Sequence, residues 1–276
     1  MRIIVAEDVG FCFGVKRAVE RVKELLLRGE KVYTDGDIVH NPLVMKELEE
    51  LGLRKIDGIP KDSKNSIFVV RAHGLPPHKL SYYREHFKEI IDLTCPIVKN
   101  LFKRAADASK KGKVVVFGKK DHPEMMALSG YVPCAIITLS PVLLEGDKIH
   151  FMAQTTASWE SFREFMAEEM RIINFREIEI FNTICDVTLK REKIAEEMSR
   201  TCDIVLVVGG RHSSNTGKLF QIAASKGKAL WIEKPEEVDQ LPKVKCVGVV
   251  SGTSTPFQIV QDVIKKLEGL GGKEHE

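Results

Sequence analysis

The sequence predicts an α/β protein made of three similar units, and three observations lead to that prediction. Cys12, Cys95 and Cys185 lie 83 and 90 residues apart, and a helical pattern follows each of them. An apolar strand pattern and a polar loop with a histidine come next, and a second strand and polar loop complete each unit. Self-similarity at a fixed period indicates a repeat architecture. Strands that alternate with helices indicate layers of helix and sheet.

The helix after the first cysteine has one apolar face. Its apolar residues recur at intervals of three and four, which is the period of an amphipathic helix; they are Val15, Ala18, Val19, Val22 and Leu26. The helix after Cys95 begins with the same Cys-x-x-Val-Lys pattern. The first two units therefore share a helical start at their cysteines.

The strands between these helices are expected to be buried in parallel sheets. Residues 114–117 and 204–208 are continuous β-branched runs, which is typical of strands covered on both faces. Helical patterns at 43–51 and 217–224 follow the histidine loops directly. The predicted domains are residues 1–93, 94–183 and 184–276, and the tail from Gly269 is expected to fray.

Composition excludes several classes of protein. With 276 residues, 43% hydrophobic and 29% charged, the chain has the composition of an ordinary globular protein. A net charge of +3 with interleaved signs does not favour a nucleic-acid partner. No apolar run approaches the ~20 residues of a membrane span, and the N-terminus does not resemble a signal peptide. A cytoplasmic location with reduced cysteines is therefore expected.

The three repeated cysteines are candidate ligands of an iron–sulfur cluster. Structural zinc sites use closely spaced cysteine pairs, whereas here each unit offers one widely separated thiol at the start of a helix. The helix dipole is expected to lower the pKa of such a thiol. Clusters of the 4Fe–4S type normally take four cysteines, so three ligands would leave one iron open as a Lewis acid. Cys134, Cys202 and Cys246 do not follow the repeat and are expected to be buried in the core.

Polar residues in the loops are candidate anion ligands. Ser213, Ser214 and Asn215 precede a helix, where they would either cap its N-terminus or help to bind phosphate. His40, His73 and His122 each follow a strand, and three histidines on one rim would donate hydrogen bonds to an anion. Glu124, two residues after His122, is the carboxylate placed to deliver protons near the repeat axis.

Nine short motifs in order along the chain resemble those of the 4-hydroxy-3-methylbut-2-enyl diphosphate reductase family. They are GFCFGVKRAV, VHNP, RAHG, LTCPIV, GKKDHPE, AQTT, TIC, SSN and a closing Gly-x-Ser-x-Pro. The resemblance extends from Cys12 to about Pro256. It implies a trefoil-like, pseudo-threefold arrangement of three α/β domains around a central 4Fe–4S cluster. It also implies the last reaction of the non-mevalonate isoprenoid pathway.

The resemblance assigns roles to particular residues. Cys12, Cys95 and Cys185 match the cluster ligands. The residues that match the diphosphate site are His40, His73, His122, Ser213, Ser214, Asn215 and Ser254. Glu124 matches the proton-delivering acid, and Thr155 matches the threonine that orients the substrate hydroxyl. No role is assigned to His212, although it lies at the repeat-equivalent position.

The chain departs from the family pattern after its third cysteine. Residues 186–192 read Asp-Val-Thr-Leu-Lys-Arg-Glu, where an Ala-Thr pair and a final Arg-Gln would be expected. These positions are not cluster ligands in the family. The departure therefore concerns contact with a redox partner or helix packing, and it leaves the chemistry unaffected.

The family's reaction would remove the substrate hydroxyl as water in a two-electron reduction, giving isopentenyl and dimethylallyl diphosphate. The chain has no nicotinamide or flavin fingerprint, so a separate carrier such as ferredoxin or flavodoxin would supply the electrons. Two other functions stay open from the residues alone. One is a zinc-dependent hydrolase of a phosphorylated substrate with Glu124 as base. The other is a redox sensor with a labile cluster.

Overall fold

A computed structural model describes residues 1–271 of the chain. Nine α-helices lie within those residues: α1 (Phe13–Leu27), α2 (Pro42–Glu50), α3 (Pro77–His86), α4 (Pro96–Ser109), α5 (Pro123–Tyr131), α6 (Trp159–Glu169), α7 (Asp186–Thr201), α8 (Ser214–Lys226) and α9 (Phe257–Gly271). The strands over the same range are β1 (Arg2–Val5), β2 (Val32–Thr34), β3 (Arg54–Lys55), β4 (Ile67–Val70), β5 (Glu89–Asp92), β6 (Lys113–Phe117), β7 (Ile136–Thr138), β8 (Glu145–Ala153), β9 (Asn174–Ile180), β10 (Ile204–Val208), β11 (Ala229–Ile232) and β12 (Cys246–Ser251).

The strands form three parallel four-stranded sheets, which confirms the predicted α/β class. The N-terminal sheet has the order β3-β2-β4-β5, and the middle sheet has the order β7-β6-β8-β9. The C-terminal sheet, given in the same direction, has the order β11-β10-β12-β1. All strand pairs are parallel. The predicted strands at 114–117 and 204–208 are inner strands of their sheets and are buried along those residues.

Each sheet ends on the strand that leads to a cysteine. Strand β5 leads to Cys95 and strand β9 leads to Cys185. The C-terminal sheet is completed by β1, which leads to Cys12 and pairs with β12 from the other end of the chain. The predicted division into residues 1–93, 94–183 and 184–276 stays a prediction; β1 of its first part lies in the C-terminal sheet.

The parallel strands explain where the candidate site residues fall. All the strands of one sheet point the same way, so the loops after their carboxyl ends gather at one edge, where α/β proteins bind ligands. The RAHG, DHPE and AQTT motifs follow β4, β6 and β8, and the loops with Ser213 and Ser254 follow β10 and β12. Each candidate loop therefore emerges from the carboxyl edge of its own sheet.

The chain divides into two compact units. Unit 1 comprises Met1–Lys16, Val39–Lys46 and the chain from Asp186 onward, and unit 2 comprises Arg17–Ile38 and Glu47–Cys185. Unit 1 contains the C-terminal sheet, with apolar clusters on both of its faces. Unit 2 contains the N-terminal and middle sheets, and its largest described cluster packs α4 and α5 on the middle sheet.

Two further expectations concern the chain ends and membranes. Helix α9 continues to Gly271, and the expectation of a frayed tail from Gly269 stays a prediction. Residues 272–276 lie outside the described residues. No helix in the described part of the chain is long and apolar enough to cross a membrane.

Candidate functional site

The three repeated cysteines share one backbone setting. Each amide N–H donates a hydrogen bond to a carbonyl in the loop after a neighbouring strand: Cys12 to Thr253 at 3.0 Å, Cys95 to Ala72 at 2.9 Å and Cys185 to Thr155 at 2.9 Å. A helix then begins at the next residue in all three cases. In each case the loop after the neighbouring strand therefore fixes the backbone of a cysteine, and the three cysteines share the same backbone arrangement.

Cys95 and Cys185 are neighbouring, half-buried thiols of unit 2. Burial raises the pKa of Cys95, and the nearby Cys185 and Glu124 raise it further. The N–H groups of Ile97 and Val98, at the start of α4, each lower it by less than burial raises it but by more than either neighbouring group raises it. The expectation that the helix N-terminus gives this thiol a lowered pKa is therefore wrong, because desolvation outweighs the helix terminus.

Glu124 and Thr155 form a buried hydrogen-bonded pair in unit 2. Thr155 Oγ1 donates to Glu124 Oε2 at 2.6 Å, and the Thr155 N–H donates to Glu124 Oε1 at 2.8 Å. Glu124 is only 1% exposed and Thr155 only 4%. Burial raises the pKa of Glu124 to about 7, although the two hydrogen bonds from Thr155 act to lower it. Glu124 is therefore a carboxyl group that both gains and loses its proton near neutral pH.

His122 joins this pair to the start of helix α5. Its ring caps the helix, because Nδ1 accepts a hydrogen bond of 3.2 Å from the Glu124 N–H. A neutral imidazole that accepts at Nδ1 carries its proton on Nε2. His73 packs edge-on against His122, with 5.5 Å between the ring centroids. Two of the three predicted histidines are thus side by side.

Unit 1 carries a second group of polar side chains, Ser213, Asn215 and Ser254, which we call the hydroxyl–amide cluster. Ser254 Oγ lies 3.3 Å from both Ser213 Oγ and the carbonyl oxygen of His40. Ser213 caps α8 by accepting a hydrogen bond from the Thr216 N–H at 3.3 Å. Both serines are about 5% exposed. The predicted residues His40, Ser213 and Ser254 are therefore in contact.

Asn215 adds a donor to this cluster. Its Oδ1 accepts a hydrogen bond from the Thr253 N–H at 3.0 Å, which fixes the orientation of the amide. Within residues 1–271, its buried Nδ2 has no hydrogen-bond partner. A buried donor without a partner is costly, so Nδ2 marks a position where an acceptor would be stabilising.

Asn41 is a residue of this region that the sequence reasoning assigned no role. Its Nδ2 donates to the Ser254 carbonyl at 3.0 Å, and its Oδ1 accepts from the N–H groups at the start of α2. Its position directly after His40 was the available signal. Asn41 links the His40 turn to the Ser254 loop.

Arg191, a second missed residue, anchors the loop before Cys12. Its side chain is 2% exposed and pairs with Asp8 at 3.0 Å. The guanidinium also donates to the carbonyls of Ser251 and Gly10 at 3.0 and 2.9 Å. Gly10 has a φ of +86°, and a Cβ there would lie 3.2 Å from the Cβ of Phe257, so the turn requires glycine. This arrangement positions the chain two residues before Cys12.

The remaining candidates lie nearer to the solvent. Ser214 is half-buried, and His212 is exposed. Cys134 is also exposed, and Cys202 and Cys246 are half-buried. The expectation that these three cysteines are core residues is therefore wrong for Cys134, whereas Cys202 packs against an apolar cluster of the C-terminal sheet.

Comparison with known proteins identifies the family. The model of the LytB protein family matches residues 3–268. The chain belongs to the LytB family. The resemblance inferred from the motifs is thereby confirmed, and LytB proteins are iron–sulfur enzymes.

Two bacterial relatives align with nearly the whole chain. The protein from Thermotoga maritima is 51% identical over 274 residues, which cover 99% of this chain and 98% of that protein. The protein from Thermotoga neapolitana is 50% identical over 274 residues, covering 99% and 97%. Both are named 4-hydroxy-3-methylbut-2-enyl diphosphate reductase.

Solved structures of LytB-type reductases have a similar fold. One, described as the terminal enzyme of the non-mevalonate pathway, has a TM-score of 0.71 and 32% identity, and the match covers 98% of this chain and 100% of that one. The structure of the reductase from Plasmodium falciparum has a TM-score of 0.85 and 26% identity, covering 96% and 87%.

Proposed function

We propose that this chain catalyses the reaction for which its relatives are named. In this reaction 4-hydroxy-3-methylbut-2-enyl diphosphate takes up two electrons and two protons and loses its hydroxyl group as water. The products are isopentenyl and dimethylallyl diphosphate. The main support is the near-complete alignment with reductases at about half identity. The zinc hydrolase and the redox sensor have no support among these relatives.

The cluster in this proposal is of the 4Fe–4S type, held by Cys12, Cys95 and Cys185 with one iron open. Their common backbone setting supports a common role, and Cys95 and Cys185 are thiols close enough to affect each other's charge. When bound, such a cluster supplies an open iron as a Lewis acid for the substrate hydroxyl and a route for electrons. Binding to metal keeps a thiol deprotonated, which would overcome the raised pKa of Cys95.

The diphosphate is held in this proposal by the three histidines together with the hydroxyl–amide cluster and Ser214. The partnerless Nδ2 of Asn215 supports this role, because an anionic oxygen would satisfy it. The N-terminus of α8, just after Ser213, favours negative charge as well. His122, with its proton on Nε2, acts as a donor to the anion in this proposal. Binding the unreactive diphosphate would position the reacting carbon.

The Glu124–Thr155 pair delivers a proton in this proposal. Thr155 Oγ1 donates its own proton to Glu124, so its lone pairs remain free to accept a hydrogen bond from the substrate hydroxyl. A carboxyl with a pKa of about 7 donates a proton and recovers it at neutral pH. When Glu124 is protonated, these hydrogen bonds reverse: the carboxyl donates its proton to Thr155 Oγ1, and the threonine hydroxyl gives its own proton to the departing oxygen, which leaves as water.

The electrons come from a separate protein in this proposal, either a ferredoxin or a flavodoxin. The absence of nucleotide-binding motifs from the sequence supports an external donor. Such donors and reduced cysteines are features of the cytoplasm, and we place the enzyme there.

Iron and sulfide content tests the ligand assignment. We expect Cys95→Ser, purified without oxygen, to lose cluster iron and the electron resonance signal that substrate perturbs in the parent enzyme. Cys134→Ser is the matched control, because Cys134 is exposed and outside the repeat. Full iron content in Cys95→Ser would remove Cys95 from the ligand set. A parent enzyme that binds iron but yields neither product from the allylic diphosphate would refute the reaction.

A further inference from the structure

Two cysteines outside the proposed site lie close together at the end of the C-terminal sheet that is opposite to the loops with Ser213 and Ser254. Cys202 directly follows helix α7, and Cys246 is the first residue of β12. The side chain of Cys202 lies close enough to that of Cys246 to affect its ionisation. The loops that carry Ser213 and Ser254 leave the carboxyl ends of β10 and β12, whereas this thiol pair lies at the amino ends of those strands. The pair is therefore separate from the proposed chemistry.

The backbone holds the two thiols in place. The Asp203 N–H donates to the Cys246 carbonyl at 3.0 Å, and Asp203 Oδ2 accepts from the N–H groups of Lys245 and Cys246 at 2.8 Å. Residues 246 and 248 project from the same face of β12. Cys202 Sγ lies only 3.2 Å from the position that a Cβ on Gly248 would occupy. The glycine thus makes room for the sulfur of Cys202 on the face from which Cys246 projects.

We propose that Cys202 and Cys246 form a redox-active dithiol site that is oxidised to an intramolecular disulfide by small-molecule disulfides. One cysteine thiolate attacks the reagent's S–S bond, giving a mixed disulfide and releasing one reagent thiol. The second cysteine then attacks the mixed disulfide, which forms the Cys202–Cys246 bond and releases the second reagent thiol. The protein loses two electrons and two protons, and the reagent gains both.

Access and protonation set the rate of this exchange. Both residues are half-buried, so a small reagent reaches them without unfolding. Burial raises the pKa of Cys202, and the neighbouring Cys246 raises it further. Since the thiolate is the attacking species, the exchange accelerates as the pH rises above neutrality.

The disulfide would close a covalent ring over residues 202–246. That ring contains β10, α8 and β11 and carries Ser213 and Asn215. Cross-linking limits the unfolded chain more than the folded one. The oxidised form should therefore resist thermal unfolding of unit 1 more than the reduced form.

Peptide mapping tests the proposal on the holoenzyme. The protein, kept free of oxygen to protect its cluster, is treated with oxidised glutathione at mildly alkaline pH, alkylated and digested with trypsin. Cys202 and Cys246 fall in separate tryptic peptides, 201–211 and 246–265, each with a single cysteine. We expect one cross-linked species that dithiothreitol separates, and a higher midpoint of thermal unfolding before reduction.

Two variants and one internal reporter keep the test decisive. Exposed Cys134 should take up glutathione, which shows that the reagent is active. Cys134→Ser should retain the cross-link. Cys246→Ser should lose it, carry glutathione on Cys202 and show no rise in its thermal midpoint. Recovery of the two wild-type peptides uncrosslinked while Cys134 is modified would overturn the proposal.

Discussion

The Glu124–Thr155 pair and the hydroxyl–amide cluster are both made by loops after parallel strands, yet they use different polar groups. The first has one buried carboxyl whose pKa lies near 7, with its oxygens held by a single threonine. The second has only neutral hydroxyls and the Asn215 amide, whose nitrogen lacks a partner within residues 1–271. A carboxyl transfers protons, whereas neutral donors bind an anion at any physiological pH. In the proposed function the two regions therefore divide the work into chemistry and binding.

Substitution of the carboxyl should give the largest effect. We expect Glu124→Gln to keep its iron and its affinity for substrate while kcat falls roughly 10²- to 10⁴-fold, the usual contribution of a general acid. Steady-state kinetics with an artificial electron donor measures this.

Glu169→Gln is the matched control for that experiment. Glu169 is also fully buried in unit 2, and burial also raises its pKa, but its hydrogen bond is to the Val142 N–H. The turnover of Glu169→Gln should be unchanged. Near-normal turnover in Glu124→Gln would mean that the carboxyl does not deliver the proton.

The same carboxyl should make the stability of the cluster-free protein depend on pH. Its pKa rises from 4.5 to about 7 on folding. The stabilisation is therefore complete below pH 4.5 and is lost as the pH rises through about 7. At about 1.4 kcal/mol per pKa unit, the free energy of unfolding should fall by about 3 kcal/mol relative to Glu124→Gln. Urea titrations of both proteins at pH 4.5 and 8 measure the difference. The same change in the free energy of unfolding with pH in both proteins would contradict the raised pKa.

The binding region should respond through KM. Asn215→Asp keeps the oxygen that accepts from Thr253, but it replaces the partnerless NH₂ with a second oxygen. Loss of a hydrogen bond to a charged group costs about 1.5–3 kcal/mol, so KM should rise at least roughly tenfold. We expect kcat to change little, because the diphosphate does not react. A fall in kcat at constant KM would contradict the proposal that Asn215 serves binding and not the chemical step.

The smallest effect should come from the helix cap. Ser213→Ala removes the acceptor for the Thr216 N–H and should lower the free energy of unfolding by about 1 kcal/mol. Ser213→Asn, another good capping residue, should recover most of it in the same urea titration. A loss of several kcal/mol would show that Ser213 supports more than the cap and its contact with Ser254.

Sequence reasoning reached the local features of this fold. The period of the apolar residues predicted α1, and continuous β-branched runs predicted the inner strands β6 and β10, because both depend on neighbouring residues. The resemblance of the motifs to a known family, rather than the order of the loops, implied that Glu124 and Thr155 act together. Periodicity and motif order were sufficient for these elements.

Features that depend on distant partners were not accessible in this way. Strand β1 could pair with any exposed edge, and nothing in RIIV specifies β12. The pKa of Cys95 depends on how deeply folding buries it, and its position before a helix gave the wrong direction. The sequence indicated no partner for Arg191, although it reaches Gly10 from 181 residues away. The sequence likewise did not indicate that Cys202 and Cys246 lie close together, because they are far apart along the chain.

The pairing of β1 with β12 has a consequence for biosynthesis. Strand β1 has no partner until β12, which lies far along the chain, has been translated. The Cys12 amide likewise meets its acceptor only after Thr253 has emerged. Nascent chains must therefore carry an unpaired β1 while the residues between β1 and β12 are translated, and the Cys12 loop reaches its final conformation only after Thr253 has been made. Maturation factors that load iron would meet a chain that already contains all three repeated cysteines.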